Sequence, residues 1–127
     1  MTADPVAQRT RGEIAAEISN GIVKLFSEYY GRGPVKAKTY LMDNYSFTVL
    51  ENTLTTAEAT LVQAGQHEMV RDFRLAFQKE MAGRFKGVVE LATKQRVLTY
   101  QSQLTFDPDH CIEFFVLDGQ PDTTDAS

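Results

Sequence analysis

One apolar stripe near the middle of the chain limits the fold more than any other feature. Val70, Phe73, Phe77, Met81, Phe85, Val88 and Ala92 recur at helical spacing between His67 and Thr93. At roughly 1.5 Å per residue, a helix of that span is about 40 Å long, enough to cross a small sheet from side to side. The rest of the chain must supply an apolar layer beneath it. Glu80 with Arg84, and Glu90 with Lys94, stand four residues apart on its wet side and favour the same helix.

The flanking segments alternate between two periods. Ile14, Ile18, Ile22, Leu25 and Tyr29 predict a helix from about Glu13 to Tyr30, stopped by Gly31 and kept from resuming by Pro34. Residues 35–42 and 45–51 have the two-residue period of strands, with Asp43-Asn44 as a tight turn between them. Thr55-Thr56-Ala57-Glu58 is a capping box opening a short helix that ends before Gly65. Residues 96–105 and 111–117 form a second pair of strands around the turn Phe106-Asp107-Pro108-Asp109. The order is α-β-β-α-α-β-β. It predicts a two-layer α+β domain in which two hairpins make a four-stranded antiparallel sheet, covered on one face by two main helices and one short one. Residues 12–118 are expected to form this domain, 1–11 a flexible leader, and 119–127 a disordered acidic tail with nothing to pack.

Composition removes several classes of function. A chain of 127 residues is one domain. Thirteen Lys and Arg against 17 Asp and Glu give a net charge of −4, which argues against duplex DNA as a partner. The lone Cys111 rules out an internal disulfide and suits a reducing cytoplasm. The polar N-terminus lacks the apolar core of a secretory signal. The longest apolar run, Phe114-Phe115-Val116-Leu117, falls far short of the ~20 residues a membrane span needs, so any role at a membrane is peripheral.

No residue set reads as catalytic, and no cofactor or metal is expected. His110 and Cys111 are neighbours on a strand and so point to opposite faces, while His67 opens a distant helix. Asp107-Pro108-Asp109 is a capped turn rather than a calcium loop, which needs more oxygens. Three surface features remain. Arg32 and Gly33, with Lys36 and Lys38, could hold an anion against turn amides, although a plain helix stop with solvated lysines explains them as well. Arg71, Arg74 and Gln78 share one side of the long helix and could either grip an acidic partner or face water. The last strand is apolar on both sides. With Ile112, Phe114 and Val116 under the helices, Phe115 and Leu117 are expected on the open face, joined by Tyr40 and Met42. An apolar open face predicts self-association as a homodimer or higher even oligomer, through that face or through the first helix.

Read whole, the chain is similar to a known bacterial family. The resemblance begins at Glu28-Tyr29-Tyr30-Gly31-Arg32-Gly33-Pro34 and Ala37-Lys38-Thr39-Tyr40-Leu41. It continues through Leu54-Thr55-Thr56-Ala57-Glu58, Thr60-Leu61-Val62, Gly65, Val70-Arg71, Arg74, Phe77-Gln78 and Met81, and closes on Asp107-Pro108-Asp109 and Phe115-Val116-Leu117. The chain resembles the MpsC-like (YbcI-like) family over about Gly12 to Asp118. It departs at two turns, Asn52-Thr53 and Thr93-Lys94-Gln95-Arg96. The resemblance implies a non-catalytic accessory or regulatory domain linked to a membrane ion-translocating system, with a protein of that system as partner. An anion or metabolite sensor using the Gly31–Pro34 turn is the alternative, and an enzyme of unknown reaction the third.

Overall fold

Seven elements account for the structure, a computed structural model that describes residues 9–31 and 36–124. They are α1 (Arg11–Tyr30), β1 (Lys36–Met42), β2 (Tyr45–Glu51), α2 (Thr56–Gln63), α3 (His67–Thr93), β3 (Val97–Phe106) and β4 (Asp109–Leu117). The sheet is antiparallel throughout with strand order β1-β2-β4-β3. Each hairpin pairs internally, and β2 and β4 join the two at the centre. This is the predicted α+β architecture.

Local chemistry sets the ends of the elements. Thr10 and Glu13 form a second capping box: the Thr10 hydroxyl accepts from the Glu13 amide at 3.1 Å, and the Glu13 carboxylate accepts from the Thr10 amide at 2.9 Å. α1 therefore starts at Arg11 rather than at Glu13. Gly31 closes it at φ 79°, a conformation that costs glycine nothing. The predicted Thr55–Glu58 box is present, with bonds of 3.1 and 2.9 Å. The carboxylate of Asp109 accepts from the amides of Thr53 and Leu54, so the Asp-Pro-Asp turn anchors the connection into α2.

The core differs from the sequence stripes in an instructive way. On α3 the buried residues include Val70, Arg74, Met81, Phe85, Val89 and Ala92, while Phe73 is 54% exposed. Arg74 takes the inward place beside Val70 that the stripe assigns to Phe73. On α1 Tyr29 is exposed, and Phe26 is inside with Ile14, Ile18 and Ile22. The Phe26 ring lies 5.1 Å from Tyr30 and 5.8 Å from Phe85, linking the helices.

The helices meet where Gly21 faces Val88. A Cβ at Gly21 would lie 2.5 Å from Val88 Cγ1. Valine has little rotamer freedom on a helix and cannot swing away. Gly21→Ala should therefore destabilise the domain by about 1–3 kcal/mol, measured by urea unfolding, and pairing it with Val88→Ala should recover part of the loss.

Candidate functional site

The sheet face away from the helices carries the first feature of interest. Alternation places Tyr40 and Met42 of β1, Tyr45, Phe47 and Val49 of β2, and Ile112, Phe114 and Val116 of β4 on that side. Tyr40 is 48% exposed and Met42 59%. The Phe47 and Phe114 rings stack at 4.8 Å, with Tyr45 6.0 Å from Phe114. The patch is bordered by Gln101 and Gln103 on β3 and by Lys38 on β1.

Two expected members of this face lie elsewhere. Phe115 and Leu117 are 0% exposed, under the helices. Tyr100 stacks on Phe115 at 4.9 Å. The pattern misleads because β4 turns its acid inward: Glu113 shares a side with Phe115 and Leu117 and is 1% exposed. A buried carboxylate needs donors, and this face supplies them. Tyr100 Oη donates to Glu113 Oε1 at 2.6 Å, and the Ser102 hydroxyl donates to Oε2. Cys111 Sγ lies 3.5 Å from Oε2, and Gln78 Nε2 donates to Ser102 Oγ at 2.6 Å. Burial raises the pKa of Glu113, and the hydrogen bonds only partly oppose it. Burial also pushes up the Cys111 thiol and the Tyr100 phenol, and the adjacent Glu113 adds to both effects.

The second polar centre surrounds Arg74, 2% exposed. Its guanidinium holds Glu58 in a two-point grip, with Nε to Oε2 at 2.7 Å and Nη2 to Oε1 at 2.8 Å. Nη2 also donates to the Thr53 carbonyl at 2.7 Å, and the Tyr30 ring lies 4.4 Å from the guanidinium carbon. Burial acts to raise the Glu58 pKa, but the bonds from Arg74 and the Thr55 amide outweigh it and hold the acid low. Burial likewise acts to lower the Arg74 pKa, and Glu58 more than offsets it.

The expected polar stripe on α3 therefore divides. Arg74 points into the core, and Gln78 turns to Ser102. Arg71 stays outside, 3.3 Å from Glu68 and 4.7 Å from the Phe106 ring centroid. Of the anion patch, Arg32 and Gly33 lie outside the described residues; Lys36 and Lys38 are exposed on β1, with Lys38 Nζ 5.1 Å from the Tyr40 ring centroid. His67 meets the Phe106 ring edge-on at 5.0 Å, and Cys111 and His110 occupy opposite faces of β4. Among the described residues no group of three or more His, Cys, Asp or Glu is placed to hold a metal ion, and no helix is long and apolar enough to cross a membrane. The sequence reading missed Glu58 and Glu113 as buried acids. The available signals were the capping box, whose glutamate already faces inward, and the hydroxyls of Tyr100 and Ser102 at alternate positions on the adjoining strand.

The decisive comparison is with protein families. A family model described as "Na+-translocating membrane potential-generating system (MpsC)" matches residues 10–119. The chain belongs to the MpsC family. The match takes in all seven elements, so the α-β-β-α-α-β-β sheet with its buried Glu113 and Arg74 is the MpsC domain of this chain. Neither a curated protein nor a solved structure shows a match to this MpsC domain.

Two measurements test the buried centres. Arg74→Ala leaves the Glu58 carboxylate buried without its cation and should cost about 3–5 kcal/mol in chemical unfolding. Glu113 has the opposite sign from an ordinary paired acid. Its pKa is higher in the folded protein than in the unfolded chain, where it titrates near 4.5, so the folded state binds more protons between the two values. Its contribution is full below about pH 4.5 and falls as pH rises through the folded pKa. As pH rises above about 4.5, the melting temperature of the unmodified protein should fall relative to that of Glu113→Gln. Parallel melting curves for the two proteins would contradict this.

Proposed function

We propose that this chain is a non-catalytic accessory domain of a membrane ion-translocating system, and that it works as a homodimer paired through the open sheet face. The observation that carries the reading is the patch centred on Phe47 and Phe114, apolar across three adjacent strands and left uncovered by the helices of its own chain. Leaving large apolar groups wet forfeits about 1.5–3 kcal/mol for each side chain that could be fully buried. A flat twisted sheet face is complementary to itself, because two copies stack aligned at about 30° with their side chains interleaved. The border holds Gln101, Gln103 and Lys38, with Lys36 beyond it set opposite Glu51, so it adds no strong like-charge repulsion to such a pair. The family description supplies the link to a membrane system. The absence of a catalytic role rests on the interior acids: Glu58 and Glu113 are each engaged by donors of the fold itself.

Sedimentation or light scattering at tens of micromolar should give twice the 14.2 kDa mass of the chain. Phe114→Asp should reduce it to the monomer by placing an unpaired charge in the contact. Met42→Asp and Tyr40→Asp, at positions already exposed, should weaken the pair without disturbing the fold. A 14.2 kDa particle from the unmodified protein would overturn the dimer.

A further inference from the structure

The two edges of the sheet are not alike. β1 carries Lys36 and Lys38, the kind of charge that keeps an edge strand from pairing with other chains. β3 is longer, at 10 residues, and its sequence VLTYQSQLTF has neither a charge nor a proline. Nothing among the described residues pairs with its outer side.

The phase of the ladder shows what that edge offers. Leu117 N donates to Asn44 O, which turns the Leu117 backbone toward the β2 side, and Asp118 N donates to Arg96 O on the other side. Alternation then turns Ile112, Phe114 and Val116 toward β3, where they engage Gln103, Gln101 and Thr99. Tyr100, Ser102 and Leu104 are left with amide and carbonyl directed at the open edge. Beside that edge runs a groove made of two clefts of about 200 and 320 Å³, both lined by Leu75 and Gln78 of α3 and by Ser102. Lys79 and Ala82 extend one cleft, Arg71 and Asp72 the other. Leu75 is 53% exposed in the wall.

We propose that this groove between α3 and β3 takes an extended segment of another protein as a fifth strand. Main-chain bonds to Tyr100, Ser102 and Leu104 would hold the segment, and every second side chain would enter the clefts against Leu75. The fitting segment has apolar side chains at alternate positions and an acidic residue opposite Lys79. A second copy of the chain fits less well, because antiparallel pairing of two β3 strands brings both α3 helices onto the same side of the joined sheet. The tail of this chain is engaged elsewhere: Asp118 lies 3.8 Å from Arg96, and Thr124 N donates to Arg9 O at 3.0 Å.

A phage-displayed library of random peptides long enough to span β3, selected on the full chain, tests the proposal. Enriched peptides should show alternating apolar positions. They should slow hydrogen exchange at Tyr100, Ser102 and Leu104 by at least about tenfold. Leu75→Glu, a change at an exposed position, should weaken their binding by about tenfold or more. Binding that persists in Met42→Asp keeps this site separate from the sheet-face dimer. Four outcomes would overturn the proposal: no enrichment; peptides indifferent to Leu75→Glu; peptides lost with Met42→Asp; or slowed exchange at those amides with no peptide, which would mean that a second copy occupies the edge.

Discussion

Arg74 holds together parts of the chain that have little else in common. Its five donors sit among groups from three segments: the Glu58 carboxylate of α2, the Thr53 carbonyl and hydroxyl in the loop after β2, and the Tyr30 ring at the end of α1. Asp109 grips the same loop from the other hairpin. A guanidinium at this depth is tolerable only because nearly all its hydrogens find oxygen, and the pair would be costly to leave half made. The short helix α2 buries few side chains of its own. Its position therefore depends on Glu58, which serves at once as helix cap and as counter-ion.

Glu113 plays the corresponding part in the sheet. With one acid on the helix side of β4, the remaining inward positions, Cys111, Phe115 and Leu117, are committed to the core, and Ile112, Phe114 and Val116 are left on the other face. The same face of the interior holds a second polar run, in which the Thr39 hydroxyl lies 2.7 Å from that of Ser19 and 2.7 Å from that of Thr48. The inner layer is thus partly polar, and the outer layer apolar and bare. That inversion makes the open face the natural place to look for a partner, since bare apolar surface is what association removes.

The sequence carried most of the architecture. Period two in Lys36–Met42 and Tyr45–Glu51, the Thr55–Glu58 box, Gly31 and Gly65, and the Asp107-Pro108-Asp109 turn each act over a few residues, and each is where local chemistry puts it. Such signals survive without tertiary context because their energetics are local. Arg74 and Phe73 mark the limit. On a helical wheel both sit beside the apolar row, and hydrophobicity alone would bury the phenylalanine; the carboxylate that reverses the choice comes from a different helix.

The chain by itself therefore determined the order of elements, the two hairpins, the capped start of α2 and the family, all of which rest on short-range pattern. Only the tertiary structure decided which side of β4 faces inward. Both sides of that strand are apolar, so the pattern is degenerate with respect to a flip. The degeneracy is broken by the cost of placing Glu113, which depends on hydroxyls from β3 and an amide from α3. That cost exists only once distant segments have come together, and a strand read alone cannot register it.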